Sequence, residues 1–275
     1  MPQRFQVGRF VLVALWNKTI EFVVLAKVRV QRGTLSRADR WALARIHAMM
    51  LRQIERMEAK PHTVIANRGA VHGVHNNAVN LREANPGWLD EAAREIHSLR
   101  TSIGENVEVH HVGSTAVDAL AAKPIIDLAM ALPAEKFAEQ FPLTRERLLD
   151  QGYRYLGVRG GYFFEKAKND VRTHALQVHR IGSPELMELL RFRDALRDDP
   201  SLRFEYAAIK TKLATAFPRR RLLYVSYKFH WIAEWQWRTV GAPDWATWFA
   251  AHKFSQSNLA KLAQHPRTIS SDVQT

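Results

Sequence analysis

The 275-residue chain contains no cysteine. Disulfides and thiolate metal sites are therefore excluded, and the absence accords with a reducing, cytoplasmic setting. There is no long unbroken apolar run either. The most apolar stretch, residues 10–30, is cut by Lys18, Glu21 and Lys27. A transmembrane helix needs ~20 mainly apolar residues, so no membrane span is expected. No small-residue cleavage site follows "FVLVALW" (Phe10–Trp16), so this segment does not read as a secretory leader. A Walker-type glycine loop is absent, which leaves kinase activity unsupported. Acid is scarce in residues 1–78: they carry 13 Lys/Arg against 4 Asp/Glu, which places +9 of the net +13 in that segment. A basic balance of this kind suits phosphates, nucleic acid or an anionic membrane surface.

What is present reads as globular. Hydrophobic residues make up 47% and charged residues 24%, in a length that suits one or two domains. Residues 1–78 read as a basic extension. Within it, Phe10–Trp16 and Ile20–Val30 are strand-like and separated by "NKT". Ser36 caps a helix over residues 35–59 whose apolar positions include Trp41, Ile46, Met50 and Ile54. Its other face is Arg-rich, which fits a surface helix or one that lies on RNA or a membrane. Residues 60–78 hold Pro, Gly and Asn but no acid and read as a linker. His72 and His75 read as loop histidines, because a metal would need two further ligands from elsewhere. Met49, Met50 and Met57 are alternative starts, so the first 78 residues are either native or an over-long gene start.

From residue 79 the pattern is regular. Trp88, Ala92, Ile96, Leu99 and Ile103 form a helical stripe after an "NPG" turn, and Val107, Val109 and His111 alternate as a strand. Ser114–Ala122 reads as a short small-residue helix. Pro124–Leu132 reads as a strand buried on both faces. A helix over Lys136–Gln151 follows, then strands at Tyr153–Val158, Tyr162–Lys166 and Thr173–Arg180. Helices are expected at Pro184–Arg197, Leu202–Ala214 and Arg219–Trp237. The last segment, residues 241–275, reads as a tail with a short helix near Trp245–Phe254. The order gives an α+β fold in residues 79–240: a mixed β-sheet covered by helices, with a helical C-terminal part.

One stretch carries chemistry, "HHVGSTAVDALAAKPIIDLAM" (His110–Met130). A strand ends at Val112, and Gly113-Ser114 opens the next helix. Free backbone N–H groups and the helix dipole then face whatever docks there. Gly113 admits a phosphate closely, and Ser114 and Thr115 add hydroxyl donors. Asp127 lies on the next strand, where a buried carboxylate needs a cation or a metal such as Mg²⁺. Lys123 precedes Pro124 and can contact Asp127 or a phosphate. The same residues also describe a helix cap followed by a structural aspartate.

That stretch resembles the signature of the GrpB family, which has a nucleotidyltransferase-like fold of the DNA polymerase β type. Further matches follow in order: "VNLREANPGW" (Val79–Trp88), "RTHALQV" (Arg172–Val178), "GSPELMELLRFRDALRDDP" (Gly182–Pro200), "YAAIKTKLA" (Tyr206–Ala214) and "YVSYKFHWI" (Tyr224–Ile232). Residues 1–78 show no such match. The resemblance implies that Gly113 and Ser114 hold nucleotide phosphates and that Asp127 binds Mg²⁺. It raises a phosphate role for Arg193, and Lys210 and Lys228 lie on the two lysine-bearing helices.

Three departures stand out. The second acid of the superfamily pair falls at Ala129. The family's His-x-His appears as Ala175-Leu176-Gln177, and its Pro-Gly after Val117 is Asp118-Ala119. His179 is a candidate replacement ligand two residues beyond Gln177, or else a solvated strand-end histidine. Glu165 and Asp170 are candidates for the missing acid, or else surface charges. Arg193, Asp194 and Arg197 also fit a salt-bridge ladder on one helix, and Tyr206 and Tyr224 read as packing residues.

The resulting expectation is a cytoplasmic protein that binds an NTP with Mg²⁺ and transfers a nucleotidyl group to an unknown acceptor. The alternatives are an inactive phosphate-binding module of the same fold, and an RNA-associated protein that acts through residues 1–78.

Overall fold

The computed structural model describes residues 36–57, 64–65, 73–75, 78–104, 107–158, 161–169 and 171–241. The apolar pieces Phe10–Trp16 and Ile20–Val30, the short helix near Trp245–Phe254, His72 and Asp170 lie outside them. The chain forms two compact units. Of the described residues, one takes in those up to Arg52 and from Ala233 onward, and the other those within Gln53–Ile232.

In chain order the elements are α1 (Arg37–Arg56), β1 (Val64–Ile65), β2 (Val74–His75), β3 (Leu81–Arg82), α2 (Gly87–Ile103), β4 (Glu108–Val112), β5 (Ile126–Leu132), α3 (Phe137–Asp150), β6 (Arg154–Val158), β7 (Tyr162–Lys168), β8 (Val171–Arg180), α4 (Pro184–Asp198), α5 (Pro200–Ala216) and α6 (Arg221–Val240). Within the first unit, His47 Nε2 lies 2.6 Å from Glu234 Oε2, and Arg238 Nε donates to the other oxygen of Glu234 at 2.7 Å.

The second unit holds the sheet, ordered β4-β5-β8-β7-β6, with β2 paired to β8. The β5–β8 pair is parallel and its other neighbours pair antiparallel. This is the mixed α+β sheet that the sequence implies.

Strand parity distributes β5 between two environments. Ile126, Leu128, Met130 and Leu132 join Trp88 and Leu99 of α2, and Phe137 and Leu148 of α3, in the main core. Each such side chain stabilises the fold by roughly 1.5–3 kcal/mol when fully buried. The alternate residues Ala129 and Ala131 pack with Val112 and Leu186 on the opposite face, under α4. Asp127 has the parity of those alanines, so it faces α4 and not the main core.

Local signals fix the helices that close over this second face. Ser183 accepts from Leu186 N at the start of α4, with Pro184 in its first turn. Asp199 accepts from Ser201 N and Leu202 N and caps α5, with Pro200 just inside it. A cap of this kind is worth ~1 kcal/mol, and proline at the first position costs no helical hydrogen bond. The "DDP" break therefore separates two helices abruptly.

Two expectations are corrected. The helix expected over Ser114–Ala122 is only a 3₁₀ turn, Ser114–Ala116. Val117 is extended (φ −120°, ψ 122°) and Ala119 has φ +58°, conformations that a helix cannot continue through. Residues 60–78 are not wholly a linker. β1 pairs parallel with β3, and β2, which contains His75, pairs with β8.

Candidate functional site

A cavity of about 300 Å³ lies on the α4 face of the sheet. Asp127 of β5 and Ala175 and Gln177 of β8 line it, with Gly113, Ser114 and Thr115 at one side. α4 contributes Phe192 and Arg193, α5 Tyr206 and Lys210, and α6 Arg221, Tyr224 and Lys228. The α6 residues 221, 224 and 228 are spaced to share one helical face.

Val112 pairs with Asp127 across the β4–β5 ladder, so the chain leaves β4 directly beside this carboxylate. Gly113 then turns with φ +71°. A Cβ there would fall 2.7 Å from Asp127 Oδ2, so only glycine fits without displacement. Two arginines of α4 brace the turn. Arg193 donates to the carbonyl of His111 at 3.2 Å, and Arg197 to that of Ala116 at 2.9 Å. Both also pair with Asp194, at 2.7 and 3.8 Å, as the ladder reading anticipates.

Thr115 is a tie rather than an open donor. It is buried, and its hydroxyl donates to the Ile125 carbonyl at 3.1 Å, while His111 Nε2 lies 3.0 Å from the same oxygen. Burial, reinforced by Arg197 and Arg193, lowers the His111 pKa to about 4. The neutral ring therefore donates to Thr115 through Nε2. Ser114 is half-buried and lines the cavity.

The cavity is strongly cationic. Lys123, Arg172, Arg193, Lys210, Arg221 and Lys228 line it, and Asp127 is the one carboxylate among the described residues that line it. Burial raises the Asp127 pKa, against the opposing pull of Lys228, Lys123 and Arg172. Burial and the neighbouring Lys228 lower Lys123 to about 7 and hold Lys210 well below the usual lysine range. At Lys228 burial acts downward, but Tyr206, Tyr224 and Asp127 outweigh it and the pKa is raised. Lys210 is buried, not solvated, and its Nζ donates to the Ala121 carbonyl. Tyr206 is wedged between Phe192 and Trp231, with ring centroids at 5.2 and 5.4 Å.

The described residues do not fit a metal of the protein's own. Mg²⁺ favours several oxygen ligands, usually including carboxylates. In the row that crosses β5, β8 and β7, Asp127 is followed by Ala175 and then Glu165. Glu165 is buried, but Arg172 pairs with it, and Arg154 donates to it at 2.5 Å. His179 lies outside the cavity lining, packed on Gly161, where a Cβ would fall 2.6 Å from its ring. Burial lowers its pKa to about 4. Among the described residues, no group of three His, Asp or Glu side chains comes together in a metal-holding arrangement.

The sequence pattern described as "GrpB protein" matches residues 78–238. The chain belongs to the GrpB family. It is 32% identical over 169 residues to the glutamate-rich protein GrpB of Alkalihalophilus pseudofirmus, an overlap of 59% of this chain and 96% of that protein. It is also 32% identical over 181 residues to UPF0157 protein YqkA of Bacillus subtilis, of which it spans about half (52%) while 63% of this chain is covered. The crystal structure of conserved protein GrpB from Enterococcus faecalis covers 59% of this chain and 99% of its own, at 28% identity and a TM-score of 0.52.

Two cations of this GrpB-family pocket are missed by sequence reasoning. Arg221 carries a usable signal, its helical spacing from Tyr224 and Lys228. Arg172 carries none. Alternation would place it on the face of His174. A register shift, which pairs Lys166 with His174 but Ala167 with Arg172, turns it to the Asp127 face. No described helix is long and apolar enough to cross a membrane.

Proposed function

We propose that the cavity binds the phosphates of a nucleoside triphosphate in the cytoplasm, with lysines and arginines in place of a resident metal. One observation carries this reading: among the described residues, six basic side chains and a single carboxylate line the cavity that the glycine turn at Gly113 borders. Cations in a water-poor cleft attract a polyanion more strongly than surface charges do. The glycine turn lets a phosphate approach the backbone, and Arg193, held by Asp194 and the His111 carbonyl, keeps that turn in place. The residue-by-residue resemblance at Gly113, Ser114 and Asp127 supports a nucleotide over other polyanions.

Titration of the full chain with ATP and GTP, in EDTA and in Mg²⁺, tests the proposal. Binding in EDTA that weakens with salt, and tightens when Asp127→Asn removes the lone negative charge, is the expected result. Binding that requires Mg²⁺ and is lost in Asp127→Asn would instead assign Asp127 to metal coordination. Metal-assisted nucleotidyl transfer would then become the better reading. Absence of binding under both conditions sinks the proposal.

A further inference from the structure

We propose that Lys123 is a nucleophile, whose amine attacks the α-phosphorus of the bound nucleoside triphosphate and retains the nucleoside monophosphate as a phosphoramidate. This rests on the nucleotide reading above.

The cavity's three lysines are held differently. Lys210 Nζ donates to the Ala121 carbonyl, and Lys228 is held charged by Tyr206, Tyr224 and Asp127, which outweigh its burial. Lys123 Nζ has no hydrogen bond or ion pair among the described residues. Its contact is the face of the Tyr224 ring, with the centroid 5.7 Å away. The backbone beneath it is fixed. Ala122 exchanges both hydrogen bonds with Arg82 at 2.8 and 2.9 Å, Pro124 accepts from Gly73 N at 2.5 Å, and Lys123 itself accepts from Ile125 N at 2.7 Å. A fixed stem with an uncommitted tip suits a group that must reach one reacting atom.

The surroundings favour the free amine. Arg221, Tyr224 and Lys228 of α6 act on Lys123, as do Arg172 of β8 and, with opposite sign, Asp127 of β5. Desolvation and neighbouring cations disfavour an ammonium ion, the usual means of activating a lysine. With a pKa near 7, a large fraction is unprotonated at neutral pH. A lysine that served only to hold phosphate would gain from staying charged.

The step balances without a metal. The Nζ lone pair forms the N–P bond, the bond from the α-phosphorus to the bridging oxygen breaks, and pyrophosphate leaves with the amine proton. Lys228, Arg172 and Arg193 stabilise the departing charge. An acceptor hydroxyl that attacks the same phosphorus then forms the new P–O bond, breaks the N–P bond and returns its proton to the amine.

Incubation of the full-length protein with α-labelled ATP in EDTA, followed by peptide mass spectrometry, tests this. The expected product is one nucleoside monophosphate per chain on Lys123, acid-labile and alkali-stable, with stoichiometric pyrophosphate. Lys123→Arg should lose it. An adduct on Lys210 or Lys228 instead, or one that persists in Lys123→Arg, overturns the proposal. ATP bound in calorimetry without any adduct also overturns it and leaves the binding reading intact. Failure to bind ATP removes both.

Discussion

The two faces of the sheet treat buried charge in opposite ways. On the α2 side, Glu95 is buried but answered: Tyr153 donates to it at 2.9 Å and Lys166 at 2.6 Å. Burial and Glu95 raise the Tyr153 pKa well above its ordinary value, so this phenol stays a donor. On the α4 side, six basic side chains line a cavity with one carboxylate among the described residues, and burial and mutual repulsion depress two of the lysines. One face spends its polar groups on each other. The other gathers an excess of positive charge round a single described carboxylate, which costs stability without a ligand and supplies affinity when an anion arrives.

The largest expected effect comes where the contrast is sharpest. Glu165 belongs to the cavity face by parity but is committed to Arg172 and Arg154. Glu165→Ala strands the buried Arg172 guanidinium and should lower unfolding free energy by ~3–5 kcal/mol in denaturant titrations. On the other face, Glu95→Ala should cost ~1–3 kcal/mol by the same measurement, because Tyr153 and Lys166 lose their acceptor. If it costs nothing, the α2 network is not holding that face together.

Lys123→Met should act in the opposite direction. It should stabilise the ligand-free protein by about 1–3 kcal/mol, since a half-buried charge under repulsion is replaced by an apolar chain of similar size. The sign with pH follows from the depressed pKa. Between about 7 and the ordinary lysine value the unfolded chain holds a proton that the folded chain does not. Stability therefore rises with pH across that window. The penalty is full below about 7, so the Met variant's advantage should shrink from pH 7 to 10 in thermal melts. An advantage that stays constant with pH would show that Lys123 is not under this strain.

The smallest effect concerns the basic N-terminal segment, which we propose associates with RNA. Deletion of residues 1–78 should abolish salt-sensitive RNA retention in filter binding, and unchanged retention would eliminate that role.

Much of the fold is legible in the sequence because its signals are local. The apolar run of β5, the caps at Ser183 and Asp199 and the stripe of α2 each announce an element from nearby residues. The candidate site is legible only where a motif is contiguous, at Gly113, Ser114 and Asp127. Glu165 reads as a loose acid because its two arginine partners reach it across strands. Lys210 reads as solvated because its acceptor, the Ala121 carbonyl, lies far away in the chain. The Ser114–Ala122 segment looks helical by its small residues, but tertiary ties at Thr115 and a left-handed Ala119 override propensity.

The shifted register of β8 has a wider consequence. In a regular strand, odd and even positions are permanently sorted between the two sides. One extra residue at Thr173 swaps that sorting for everything before it, and so delivers a guanidinium to a side from which strict alternation would bar it. The charge of the cleft is thus encoded partly in spacing and not only in residue identity. Excision of Thr173 would place Arg172 directly before His174, where plain alternation keeps it on the Asp127 side, so the cleft should keep its charge; an alanine inserted beside Thr173 would instead turn the guanidinium toward α2.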